Sequence, residues 1–202
     1  MKYLIKDNFL PEVWYECLQQ KAKSYKGQLS REGYNNKKTF RDSLDPRHAE
    51  TKEIEDRRGV CHAIWNKFLW NAPLEKELSG SKDSALVHAS QTRWGKVLLS
   101  SYGEKDGYGY HIDTELDCIA TAVLMFTLSS KPKFSGGDFL LEDKIILFKP
   151  NRLIIFPSCR KHGVSLVSMK SNDIYENRRF TLQYFISSVT LKTRFPDESY
   201  IK

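Results

Sequence analysis

The sequence predicts a mainly β domain with flanking helices, an α+β arrangement whose core is a jelly roll. Three observations predict it. Helical periodicity is confined to the early part of the chain; from about residue 85 short apolar runs alternate with turn residues; and no internal repeat, low-complexity tract or domain linker breaks the 202 residues. Helices followed by many short strands can bury their apolar faces when two sheets close over one another, which encloses a pocket and shelters strand edges.

The elements follow in order. Asp7-Asn8-Phe9-Leu10-Pro11 ends a first strand and starts a helix, with Leu10, Val13, Trp14, Cys17 and Leu18 at helical spacing. From about Ser24 to Arg47, Gly27, Gly33, Asn35-Asn36 and Pro46 mark a polar loop region suited to contacting a substrate. A second helix is expected over about Ala49–Trp70, burying Ile54, Val60, Ile64, Phe68 and Leu69, with Pro73 at its end. Strands are expected at 85–90, 96–102, 108–113, 118–129, 138–142, 145–148, 152–157, 163–168 and 178–188. Turns at Gly103 to Gly109, Gly136-Gly137 and Pro150-Asn151 separate several of them, the glycine pair as a tight turn that needs positive φ. One domain is expected over 1–202, with N-terminal helical support at about 8–75 and the jelly-roll core at about 85–190.

Composition narrows the function classes. Hydrophobic residues make up 40% and charged residues 28%, as in ordinary soluble domains. The longest apolar run, Ile119 to Leu128, is interrupted by Thr121 and Thr127 and suits a buried strand, so no membrane span is expected. The opening residues carry no secretory hydrophobic stretch, and a cytoplasmic location is the expectation. Cys17, Cys61, Cys118 and Cys159 form no C-x-x-C pair, which argues against structural zinc and a disulfide scaffold. Cys118 and Cys159 are expected to be buried. The formal net charge of +7 suits either an anionic partner or a basic solvated surface.

The chemistry concentrates in one ordered set of residues. In an extended strand, residues i and i+2 point the same way, so His111 and Asp113 present an imidazole beside a carboxylate. His162, from a distant strand, completes a two-histidine, one-carboxylate set. Such a set holds one face of an octahedron and suits non-haem Fe(II). The strand beginning Arg179-Phe180-Thr181 then offers a guanidinium to a carboxylate-bearing co-substrate. An H-x-D triplet alone says little; H-x-D, a Gly-Gly pair, F-P-S-x-x-x-H and R-x-T in that order say much more.

From about Arg93 to Ser188 the chain resembles the Fe(II)/2-oxoglutarate-dependent oxygenases, specifically their prolyl-4-hydroxylase-like branch. The matching text is LLSSYGEKDGYGYHID (98–113), LMFTLSS, KFSGGDFLLE, the run from Lys149 to Ser158, Lys161-His162-Gly163-Val164 and RFTLQYFI from Arg179. The resemblance implies a double-stranded β-helix with Fe(II) on His111, Asp113 and His162. It also implies that 2-oxoglutarate sits on Arg179, with Thr181 on the same strand face adding a hydroxyl and Tyr102 reaching the same carboxylate, and that O2 is the second co-substrate. For Tyr102 ordinary core packing stands beside ligand contact, as it does for Tyr108 and Tyr110 with weaker claims. Arg178 points away from Arg179 and is the second choice, kept because the polar stretch Lys170 to Asn177, read as a surface loop, lengthens the interval after His162.

The implied activity is hydroxylation of an unactivated C–H bond, most simply on a protein or peptide, with succinate and CO2 as co-products. Small-molecule hydroxylation is an alternative. A nucleic-acid demethylase of the AlkB type is less favoured, because Arg179-Phe180-Thr181-Leu182-Gln183-Tyr184 lacks the asparagine and second arginine of the R-x-N-x-T-x-R pattern. A catalytically inactive jelly-roll binding protein is the non-enzyme alternative.

Overall fold

Period-two alternation in the long apolar strands sorts the core into two layers. The computed structural model describes residues 3–31, 49–113, 117–169 and 172–188. The strands are β1 (Leu4–Lys6), β2 (Glu50–Glu53), β3 (Gly95–Tyr102), β4 (Tyr108–His111), β5 (Cys118–Thr127), β6 (Phe134–Gly136), β7 (Phe139–Leu141), β8 (Lys144–Ile146), β9 (Arg152–Pro157), β10 (His162–Val164), β11 (Val167–Met169) and β12 (Arg179–Ser187). A six-stranded major sheet runs β1-β9-β5-β12-β3-β2, faced by a four-stranded minor sheet β4-β10-β7-β8 and a short pair β11-β6. Every pairing is antiparallel. Two facing antiparallel sheets with this crossed order make the expected jelly roll.

On β5, Ala120, Ala122, Leu124 and Phe126 face outward into a cluster with Leu18, Ile64, Trp65, Leu78 and Leu86 from the helices. Val123 and Met125 face inward and pack with Phe139, Leu141, Ile146, Ile154 and Phe156. The same alternation splits β12: Phe180, Leu182, Tyr184 and Ile186 join the helix-facing core, whereas Arg179, Thr181 and Gln183 are buried on the inner face. A strand buried on both sides therefore keeps polar residues only where the pocket lies.

The helices are α1 (Glu12–Ser24), α2 (Val60–Ile64) continued as a π-turn over Trp65–Leu69, α3 (Ala72–Ser79) and α4 (Ser84–Gln91). Two expectations fail here. The helix expected over Ala49–Trp70 begins only at Val60, and Glu50–Glu53 pairs with β3 as an edge strand. Its charged residues are good helix formers, but they also suit a strand with one open edge. Pro73 opens α3 at its first turn, behind the Asn71 cap, where a missing N–H costs nothing. The stretch read as a strand at 85–90 is α4, capped by the Asp83 side chain on Ala85 N and burying Leu86, Ala89 and Ser90 on one face.

The expected strand over 163–168 is two strands, β10 and β11. They belong to one kinked ribbon: Phe134↔Met169, Gly136↔Val167, Phe139↔Val164 and Leu141↔His162 keep a constant register through the kink. Gly136 and Gly137 sit at that kink with φ of 69° and 67°, so the positive φ is as expected but the pair makes no hairpin turn. The 163–168 strand is interrupted because Ser165 and Leu166 bridge to Asp138 and Gly137 across the bend. Within the stretch read as a surface loop before β12, Tyr175 is buried and its hydroxyl donates to Ala22 O at 2.8 Å. Of the expected 24–47 loop, residues 32–47 lie outside the described residues; Ser30 bridges to Thr51. No helix of the described residues is long and apolar enough to cross a membrane.

Candidate metal and co-substrate site

β4 and β10 lie side by side and pair His162 with His111. One step on, Val164 pairs with Tyr108, so two residues of β10 face three of β4. This bulge lets Tyr108 and His111 share a face, and their rings stack with centroids 3.6 Å apart. The strand ends at His111; Asp113 lies beyond it, its N–H bonded to Ser158 O at 2.9 Å. The three side chains meet all the same: one ligand atom from each of His111, Asp113 and His162 lies within 4.8 Å of the others.

Both imidazoles are oriented by the backbone. His111 Nδ1 lies 2.9 Å from Gly109 O and His162 Nδ1 2.9 Å from Arg160 O. A carbonyl oxygen only accepts, so each Nδ1 carries a proton, and in the neutral ring Nε2 is the nitrogen left with a lone pair. Those Nε2 atoms face the carboxylate, His111 at 3.6 Å from Oδ1 and His162 at 3.3 Å from Oδ2. Phe156 and Phe139 pack on the His162 ring, with centroids 4.6 and 5.8 Å away. Burial pushes the Asp113 carboxyl up, but the positive charge that His162 and His111 carry when protonated, together with the Thr121 hydroxyl, outweighs it and brings it down to about 2. It is an anion at neutral pH. Two imidazole nitrogens and one carboxylate converging in this way fit a divalent cation of the Fe(II) type.

Behind the triad, Arg179 is fully buried. Its Nε donates to Gly137 O at 2.6 Å, and its Cζ lies 4.7 Å from the Tyr102 ring and 5.7 Å from that of Phe148. Neither Nη finds a hydrogen-bond partner among the described residues, nor do the Tyr102 hydroxyl and Thr181 Oγ1. Among the described residues no carboxylate forms an ion pair with Arg179. Burial pushes its pKa down to about 10, with Tyr102 and Asp138 pulling the other way, so it stays charged at neutral pH. A buried, unpaired cation costs several kcal/mol, of order the penalty for stranding one partner of an ion pair. Four orphaned donors around one cation fit a carboxylate, as 2-oxoglutarate would bring.

Arg178 faces the other way, pairing with Glu50 at 2.9 Å and Asp173 at 2.7 Å. Gly137 also matters by what it lacks, since a Cβ there would meet Arg179 Cδ at 2.6 Å. Tyr110 is exposed and donates to Glu142 O, away from the triad. Cys159 is exposed, against the expected burial, because it sits in the turn between β9 and β10. Cys118 is partly buried beside Thr121, and burial pushes its thiol up to about 12. The sequence reading missed Thr121, whose hydroxyl donates to Asp113 Oδ2 at 2.6 Å; its trace was a polar residue within a buried apolar run.

Residues 97–187 match the family model of the 2OG-Fe(II) oxygenase superfamily. No curated protein matches the sequence. In fold, the chain is similar to a Pseudomonas putida prolyl-4-hydroxylase, with TM-score 0.66 and 15% identity over 93% of each chain. It is also similar to the viral collagen prolyl hydroxylase of Paramecium Bursaria Chlorella virus-1 in its 2OG complex, with TM-score 0.60 and 15% identity over 94% of this chain and 97% of that one. A Trichoplax adhaerens prolyl hydroxylase, solved with a hypoxia inducible factor oxygen degradation domain peptide, gives TM-score 0.55 and 21% identity over 92% and 84% of the two chains. The triad and the buried arginine thus lie within the stretch, residues 97–187, that is similar to the 2OG-Fe(II) oxygenase superfamily model, on a fold similar to that of the prolyl-4-hydroxylases.

Proposed function

We propose that this chain is an Fe(II)- and 2-oxoglutarate-dependent dioxygenase that hydroxylates an unactivated C–H bond in a protein or peptide. His111, Asp113 and His162 hold the metal; Arg179, Thr181 and Tyr102 hold the distal carboxylate of 2-oxoglutarate. The carrying observation is the buried guanidinium of Arg179, which among the described residues has no carboxylate partner and has two further unpartnered hydroxyls beside it, those of Tyr102, whose ring it contacts, and of Thr181, on its strand face. When bound, the metal and 2-oxoglutarate supply the oxidising chemistry, in which O2 is consumed, the oxo acid becomes succinate and CO2, and one oxygen atom goes to the substrate.

The chain's own residues bind, orient and exclude water. The Nδ1 contacts of both histidines keep Nε2 aimed at the cation, and Phe139 and Phe156 dry one side of it. The polypeptide preference is supported by the prolyl-hydroxylase form of the fold, one instance of which holds a peptide.

Anaerobic Fe(II) titration with 2-oxoglutarate tests the reading. We expect a weak visible charge-transfer band, absent in Asp113→Ala, and slow succinate formation when O2 is admitted. Proline-containing peptides should stimulate succinate formation more than free amino acids do. No band in folded protein would sink the oxygenase, while stimulation by small molecules alone would sink the polypeptide substrate.

A further inference from the structure

We propose that Thr121 is a positioning residue for the metal site, holding Asp113 Oδ2 so that Oδ1 is the oxygen presented to the cation. This rests on the metal-binding reading above and adds to it the orientation of the carboxylate.

Thr121 lies on the inner face of β5, between Phe156 of β9 and Phe185 of β12, and is 1% exposed. A valine has nearly the same shape and would suit this apolar wall. Burying a hydroxyl instead is unfavourable unless it is bonded. Thr121 Oγ1 is bonded, donating to Asp113 Oδ2 at 2.6 Å.

The Asp113 side chain needs such a partner. Rotation of a carboxylate about its last bond is soft and roughly two-fold, so packing alone leaves its plane loosely defined. The main chain of Asp113 is tied to Ser158 O, which fixes the α-carbon but not the oxygens. Both imidazoles present Nε2 lone pairs to the carboxylate and donate nothing to it when neutral. Among the described residues Thr121 supplies a hydroxyl donor to the carboxylate and engages Oδ2 rather than Oδ1.

Thr121 is itself well held. A β-branched side chain has few χ1 choices, and Cys118 Sγ lies 3.8 Å from Oγ1 on the far side. Ser158 meanwhile ties the end of β9 to the start of β5, through Ser158 Oγ to Cys118 O and Ser158 N to Ile119 O. The backbone and the side chain of Asp113 are therefore referenced to the same corner of the sheet. With Oδ2 engaged, the carboxylate binds through one oxygen and leaves the remaining metal positions to other ligands. Bound through both oxygens, it would take one of them away.

Co(II) titration of the full chain, followed by visible absorption, tests this on the metal alone. Thr121→Val should bind Co(II) about tenfold or more weakly, as loss of an outer hydrogen bond to a metal ligand does. Its band intensity should also change, since Co(II) absorption reports coordination number. Thr121→Ser should restore both, while the metal-free proteins melt alike. Thr121→Ala carries the same expectation and keeps the test decisive if the valine protein does not fold. Val and Ala variants with the parent's affinity and spectrum would overturn the role of Thr121 and leave the triad standing. A parent that binds no more Co(II) than Asp113→Ala would overturn the triad and this inference together.

Discussion

Two adjacent arginines on one strand have opposite fates. Arg179 points inward with both Nη atoms unpartnered among the described residues, and Arg178 points outward to Glu50 and Asp173. Arg179→Ala should raise the 2-oxoglutarate concentration needed for the charge-transfer band by about 30-fold or more, since stranding one side of a buried charged contact costs about 2–5 kcal/mol. Arg178→Ala should leave that requirement within about threefold and lower stability by about 1–3 kcal/mol, read by urea unfolding. The reverse pattern would mean the register of this strand is wrong. Most of this was legible in the sequence, because i, i+2 spacing puts Arg179 and Thr181 together and sends Arg178 elsewhere. Thr121 was not: the spacing that marks it as inward-facing says nothing of a carboxylate arriving from another part of the chain.

At the scale of elements, the long strands were readable and the short ones were not. β5, β9 and β12 are buried on both faces and long enough to exclude the alternatives. Ser84–Gln91 was misread because a short apolar run fits helix or strand equally, and only the Asp83 cap distinguishes them. The kink at Gly136-Gly137 was misread for another reason. Positive φ is as compatible with a bend inside a ribbon as with its end, and the preserved register is set by the distant β10 and β11.

The kink also ties backbone to site. Gly137→Ala forces an L residue to φ 67° and drives its Cβ into Arg179 Cδ, whereas Gly27→Ala at φ 75° meets nothing within 4 Å among the described residues. Both should lose about 1–3 kcal/mol of stability from backbone strain. Only Gly137→Ala should also weaken 2-oxoglutarate binding, checked by the same anaerobic titration. Equal binding by the two variants would show that the arginine does not depend on the gap beside it.

At the scale of the molecule, the N-terminal segment is clipped to the sheet by polar contacts. Asp7 accepts from Arg152 Nε at 2.6 Å and from Lys149 Nζ at 2.8 Å, and the Asn151 side chain bonds both the N–H and the C=O of Leu10. The hydrogen bonds from Arg152 and Lys149 hold the Asp7 carboxyl well below its ordinary value. A depressed carboxyl stabilises above the unfolded pKa, and that stability is lost as pH falls through the folded value. Asp7→Asn should therefore cost under about 1 kcal/mol near neutral pH, as exposed pairs do. The gap between parent and variant in urea unfolding should close as pH drops below about 4. A gap that widened in acid would contradict the pairing.

The unbroken register of the kinked ribbon has a consequence for ligand size. His162 sits opposite Leu141, and Arg179 hangs from Gly137 four residues back along the same ribbon. That interval is about 13 Å of extended backbone and has no hinge of its own beyond the glycine pair. The metal end and the anion end are thus two marks on one ruler. A diacid shorter or longer by a methylene could satisfy one mark but not both. On the proposed reading, selection for a five-carbon oxo acid would follow from strand length as much as from any side chain.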